Sequence, residues 1–200
     1  MSDAHNGQTA LITGASEGIG AIYAERLARR GYNLVLVARS TGKLESLAAT
    51  LREQTGRTVE VLAADLTDRD DLHRVEARLA AVPAIDLLVN NAGLNHGGAL
   101  PDLASASVDA ILDLNVTAAA RLAWAAAAPM VARGSGTIIN IASVMALMHL
   151  PNSALYSASK AFLLTLTQAM QVDLAGKGIR LQAVLPGATR TAIWAKSGTP

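Results

Sequence analysis

The chain has 200 residues, 51% of them hydrophobic and 16% charged, with 17 Lys plus Arg against 16 Asp plus Glu and a formal charge of +1. This describes one globular domain with a sizeable core; it excludes a disordered tail and offers no polybasic tract to follow nucleic acid. Cysteine is absent, so disulfides, thiolate nucleophiles and cysteine-based zinc sites are ruled out.

The first predicted strand, TALIT (9–13), runs into TGASEGIG (13–20) and a helix over about 18–30. Gly14, Gly18 and Gly20 stand where backbone must turn sharply or approach a ligand, and helix N-termini favour anions. The spacing differs from GxGxxG, and a plain strand-to-helix turn is the alternative. The second strand, NLVLVAR (33–39), ends where an open α/β sheet usually carries an acid for the adenosine ribose. Ala38 and Arg39 stand there instead. A guanidinium pairs with phosphate and a carboxylate repels it, so the sequence favours NADP(H) over NAD(H), unless Arg39 is a solvated surface residue. Glu17, an acid in the glycine loop, is a contrary sign.

A helix over 42–55 leads to the third strand, TVEVLAA (58–64), followed by Asp65 and Leu66. Asp65 either accepts from an adenine amino group or caps the helix beginning near residue 68. After that helix (68–80) comes the fourth strand, IDLLVN (85–90), and then NNAG (90–93). Asn91, Ala92 and Gly93 in that segment can close over a cofactor, although Asn and Gly are also common turn formers.

A long helix is predicted over 104–132. Its most apolar run, VTAAARLAWAAAAPMVA, is interrupted by Arg121 and Pro129, which favours a buried or interface helix over a membrane span. Asn115 is a poor helix former on an apolar stretch, so its amide is expected to meet a specific buried partner or water. The fifth strand, GTIINIAS (136–143), brings the Ser143 hydroxyl to the carboxyl edge. The helix over 153–175 follows, and IRLQAVLP (179–186) is the sixth strand. Near-continuous apolar strands alternating with helices specify an α/β, Rossmann-type doubly wound parallel sheet, in which ligands bind beyond the carboxyl ends of the strands.

Within the 153–175 helix, Tyr156 and Lys160 are spaced i, i+4 and share a face. A free phenol has a pKa of about 10. A cation about 4 Å away contributes roughly 4 kcal/mol at an effective dielectric of 20, which is enough to lower that value substantially. A core tyrosine with a snorkelling lysine is the bland alternative.

Taken together, TGASEGIG, NNAG, Asn115, Ser143, YSASK and PGATRT (186–191) resemble the short-chain dehydrogenase/reductase family over nearly the whole chain. The resemblance implies an NADP(H)-dependent oxidoreductase that interconverts a carbonyl and a secondary alcohol. Tyr156 would be the general acid/base and Ser143 would orient the substrate oxygen. Lys160 would lower the Tyr156 pKa and hold the nicotinamide ribose, and Asn115 would anchor a water linking Lys160 to solvent. Gly14, Ser16, Gly18, Ile19 and Gly20 would form the cofactor loop, with Asn91 near the adenosine half. Pro186, Gly187 and Thr191 would hold the nicotinamide end. The two long helices would pack against another subunit, as in a homodimer or homotetramer.

A single domain spanning 1–200 is expected. The family pattern continues with a substrate-binding helical segment, a helix and a last parallel strand, whereas this chain ends at AIWAKSGTP, so those parts are expected to be missing. His96, Met145, Leu147, His149 and Asn152 are candidate pocket lining. The two histidines have no matching ligand set, and no metal site is expected. The segment MSDAHNGQ has no basic region followed by an apolar stretch, so a cytoplasmic location is expected. The competing functions are a non-catalytic NADP(H) sensor or scaffold and a sugar-nucleotide epimerase or dehydratase.

Overall fold

A computed structural model describes residues 7–82 and 84–187. Six strands, β1 (Thr9–Thr13), β2 (Asn33–Ala38), β3 (Val59–Ala63), β4 (Leu87–Asn90), β5 (Gly136–Ile141) and β6 (Ile179–Val184), form one sheet in the order β3-β2-β1-β4-β5-β6. Every pairing is parallel. The chain winds outward from β1 toward β3, then crosses back to lay β4 on the other side of β1. That reversal leaves a crevice beyond the carboxyl ends of β1 and β4.

The central strands β2, β1 and β4 are apolar on both sides because helices cover both faces. Ala10, Ile12, Leu34 and Leu36 pack on one face with Leu27, Leu44, Ala48 and Leu51. Those last four come from α1 (Gly18–Arg29) and α2 (Thr41–Thr55). Leu11, Val35, Leu88 and Ile138 point the other way, onto Leu72, Val75, Leu79, Leu122 and Met130. These belong to α3 (Arg69–Ala80) and α5 (Ala119–Arg133). Each of these large side chains contributes roughly 1.5–3 kcal/mol on burial, so the sheet is held from both sides. No helix among the described residues is long and apolar enough to cross a membrane.

The long helix predicted over 104–132 is not one continuous α-helix. It consists of α4 (Ser105–Leu112), a π-helical stretch (Asp113–Ala118) and α5. A π turn inserts an extra residue into the helical register and is often found where a side chain must be re-aimed. Asn115 lies in that stretch. The last helix, α6 (Ala154–Asp173), carries Tyr156 and Lys160 on its first two turns.

Candidate active site

The carboxyl ends of the strands open onto a cleft of about 500 Å3. At its base, Gly14 has φ +64°, a conformation that costs an ordinary side chain strain. A Cβ on Gly20 would collide with the Gly14 carbonyl oxygen and stand 2.7 Å from Asn91 Nδ2. Gly20 is therefore a packing residue that lets α1 approach the loop, and it does not line the cleft, whereas Gly14, Ser16, Gly18 and Ile19 do.

Arg39, Asp65 and Leu66 line one end of the cleft. Asp65 does not cap α3. Asp68 does, its carboxylate accepting from the N–H groups of Asp70 and Asp71. Asp65 instead accepts from Thr67 N at 3.0 Å and Thr67 Oγ1 at 2.8 Å, and its other oxygen lies 3.8 Å from Arg39 Nη1. Glu17 and Lys43 join them at this end, paired at 2.8 Å. Lys43 was not singled out in the sequence; its position four residues past Arg39, on the first turn of α2, was the available signal.

The NH2 groups of both NNAG amides bond within the protein. Asn91 Nδ2 donates to Thr13 O (2.9 Å) and Gly14 O (3.3 Å), bracing the glycine loop. The Asn90 amide donates into the core, to Ala119 O and Asn140 Oδ1. The buried Thr13 hydroxyl accepts from the N–H groups of both Asn91 and Ala92 at 2.9 Å, a stitch that sequence reading missed. Asn91, Ala92 and Gly93 reach the cleft through the wall this bracing makes.

Asn115 is 1% exposed and does not line the cleft. Its Oδ1 accepts from Leu94 N at 2.9 Å, while its Nδ2 donates to Leu94 O at 2.8 Å and Ser159 Oγ at 3.1 Å. The amide thus clamps the NNAG segment to the π-helical stretch and to α6. Both of its side-chain N–H groups bond within the protein. Asn115→Ala removes the partner of the part-buried Leu94 N–H and C=O and of Ser159 Oγ. It should cost about 1–3 kcal/mol, the range for leaving such groups unsatisfied. A thermal-unfolding midpoint within about 1 °C of wild type would contradict this clamp.

Ser143, Tyr156 and Lys160 converge on the opposite end of the cleft. Ser143 lies two residues past β5, where its Oγ accepts from Met145 N at 3.1 Å. Backbone bonds from Ala142 N to Val184 O and from Val144 N to Pro186 O draw the ends of β5 and β6 together, which brings Pro186 and Gly187 into the wall. Thr191 lies outside the described residues. Lys160 is buried, and its Nζ donates to Ile141 O at 3.0 Å and stands 5.7 Å from the centre of the Tyr156 ring.

The electrostatics differ from those expected of the Tyr/Lys spacing. Burial pushes the Tyr156 phenol above its ordinary pKa, and hydrogen bonding with the Ser143 hydroxyl pulls it only part of the way back. Burial also brings the Lys160 ammonium down to about 8. The protein's own groups therefore keep the phenol protonated near neutrality, because desolvation outweighs the hydrogen bond with Ser143.

Of the other candidate lining residues, His96 lies in the cleft, while Met145, Leu147, His149 and Asn152 do not. Met145 is in the core and the other three are exposed.

Residues 8–200 match the family model described as short chain dehydrogenase. The chain belongs to the short-chain dehydrogenase family. Among solved family members, a short-chain dehydrogenase from Sphingobium yanoikuyae in complex with NADPH is 48% identical, with a TM-score of 0.94 over 96% of this chain and 75% of that one. The bulky-bulky ketone specific alcohol dehydrogenase from Comamonas testosteroni is 50% identical, with a TM-score of 0.90 over 92% of this chain and 74% of that one. Human 17-beta-hydroxysteroid dehydrogenase type 3 is 36% identical over 94% of this chain and 61% of its own length. The chain thus spans about 60% of the length of such curated family members.

Proposed function

We propose that the protein is an NADP(H)-dependent oxidoreductase that interconverts a carbonyl and a secondary alcohol, with Tyr156 as general acid/base. The observation that carries this reading is that one cleft holds the glycine loop and Arg39 at one end and Ser143, Tyr156 and Lys160 at the other. The cleft suits an elongated dinucleotide: glycine backbone for the pyrophosphate, a guanidinium for the 2′-phosphate, and a hydroxyl, a phenol and an ammonium at the nicotinamide end. The bound nicotinamide supplies or accepts hydride.

The chain's own residues supply position and a proton. In reduction, the Ser143 hydroxyl holds the carbonyl oxygen by hydrogen bonding and the Tyr156 O–H donates its proton to the developing alkoxide. A phenol kept protonated by burial suits that direction. Lys160 holds the ribose hydroxyls and keeps positive charge near the phenolate left behind, which favours its formation. In oxidation, Tyr156 must first lose its own proton, and the phenolate, supported by the Lys160 ammonium, then accepts the alcohol proton as hydride leaves for the oxidised nicotinamide. Asn115 acts through Leu94, fixing the wall on which Gly93 passes close to Lys160; a Cβ on Gly93 would sit 3.2 Å from Nζ. Self-association through α5 and α6 belongs to the same reading, supported by the exposed Trp124 on α5.

A panel of ketones, 3-oxoacyl thioesters and sugars followed by NADPH absorbance tests the activity. NADPH binding without oxidation on any of them would instead support a sensor. For the cofactor, Arg39→Asp replaces an attractive charge by a repulsive one. The NADPH-to-NADH ratio of kcat/KM should fall by about 10²-fold, the size expected on losing a charge-assisted contact and adding repulsion. An unchanged ratio would mean that another group reads the phosphate.

A further inference from the structure

We propose that Lys43 is a second reader of the adenosine 2′-phosphate and that Glu17 holds it as a displaceable counter-ion, the two together setting the preference for NADP(H). This rests on the cofactor reading above.

Four charged side chains line the same end of the cleft: Glu17, Arg39, Lys43 and Asp65. They are arranged as two pairs, Lys43 Nζ with Glu17 Oε2 at 2.8 Å and Arg39 Nη1 with Asp65 Oδ2 at 3.8 Å. Two cations and two carboxylates sum to zero, so the cluster as it stands has no net pull on a dianion. The pairs are weak enough to exchange. The Lys43 and Glu17 side chains are 58% and 35% exposed, and exposed ion pairs contribute about 0–1 kcal/mol. A phosphate monoester carries about −1.5 to −2 charges and three acceptor oxygens, against a carboxylate's single charge. Lys43 therefore gains by leaving Glu17 for a 2′-phosphate.

A ribose that bears only hydroxyls offers no such exchange, and Lys43 then stays with Glu17. Glu17 thus weakens NADP(H) binding by competing for Lys43, not by facing the phosphate. The ion pair changes the meaning of an acid in the glycine loop. It also makes Lys43, reaching across from α2, the loop's source of positive charge.

The test is a double-mutant cycle on the 200-residue chain, with Kd for NADPH and NADH measured by calorimetry for wild type, Glu17→Gln, Lys43→Met and the double variant. Both side chains are outside the core, so the fold is not at stake. Lys43→Met should lower the NADPH-over-NADH affinity ratio about 10-fold, the loss of one charge-assisted contact. Glu17→Gln should raise the ratio about 3- to 10-fold, and that gain should vanish in the Lys43→Met background. A Lys43→Met ratio within twofold of wild type overturns the proposal. So does an equal gain from Glu17→Gln in both backgrounds, which would mean direct repulsion of the phosphate. Binding of neither dinucleotide by any of the four proteins would remove the cofactor reading itself, whereas binding with a flat ratio removes only the role of Lys43.

Discussion

Replacing Tyr156 with Phe should lower kcat by about 10²- to 10⁴-fold, the contribution of a positioned general acid, and leave Kd for NADPH within about threefold of wild type. The substitution keeps the ring and so its packing on α6. It removes only the hydroxyl, which is the partner of Ser143 and, in the proposed reaction, the proton source. The Lys160 ammonium keeps its bond to the Ile141 carbonyl, so the site around the missing hydroxyl should hold its shape. Steady-state rates with NADPH and a turned-over ketone, beside direct cofactor titration, separate the two effects. A Phe variant that retains a fifth or more of the wild-type rate would remove the acid/base role, whatever happens to binding.

Lys160→Met should reduce kcat/KM by about 10²-fold, roughly 2.7 kcal/mol of transition-state stabilisation, through loss of the charge that supports the tyrosinate and of the ribose contact. The same variant has a signature in stability. Burial brings the ammonium down to about 8 in the folded protein, against the ordinary lysine value of 10.5 that applies when the chain is unfolded. Between those values the unfolded chain holds a proton that the folded one has shed, so this group makes stability rise with pH across that window. Below pH 8 the charged lysine is a constant penalty. Wild type should therefore gain stability relative to Lys160→Met as pH increases from about 8 to about 10.5, as measured by urea unfolding at a series of pH values. Parallel stability curves for the two proteins would show that the ammonium is not desolvated as the geometry implies.

Much of the fold is legible along the chain. The aliphatic runs of β1, β2 and β4 are buried on both faces, and that pattern is hard to satisfy except in a parallel sheet covered twice. The expected strands overrun the observed ones by one or two residues at every strand after β1; at β3, β5 and β6 small or apolar residues such as Ala64, Ala142 and Leu185 continue past the last strand residue as the chain enters the cleft. The long helix over 104–132 is present as a continuous helical run from Ser105 to Arg133, with a π stretch at its centre. Apolar periodicity does not distinguish an α-helix from one with a π turn, and the Asn115 amide that bonds Leu94 sits in that stretch.

The candidate site divides in the same way. Local rules sufficed for what depends on neighbours in sequence: the turn at Gly14, the i, i+4 placement of Tyr156 and Lys160, and the hydroxyl of Ser143 near a strand end. Contacts between residues far apart in the chain needed the folded structure. Examples are the Thr13 stitch to Asn91, the inward turn of the Asn90 amide and the pairing of Glu17 with Lys43. The direction of the Tyr156 shift belongs with them. A spacing reveals which charge is near, but how much water is excluded is a property of the assembled cleft, and here desolvation is the larger effect. The amino-acid order by itself thus determined which groups line up on which element, because helix and strand periodicity are local. Only the tertiary structure decided which of them face a ligand and which are spent holding the walls, because burial and long-range hydrogen bonds exist only once the sheet and its helices have closed.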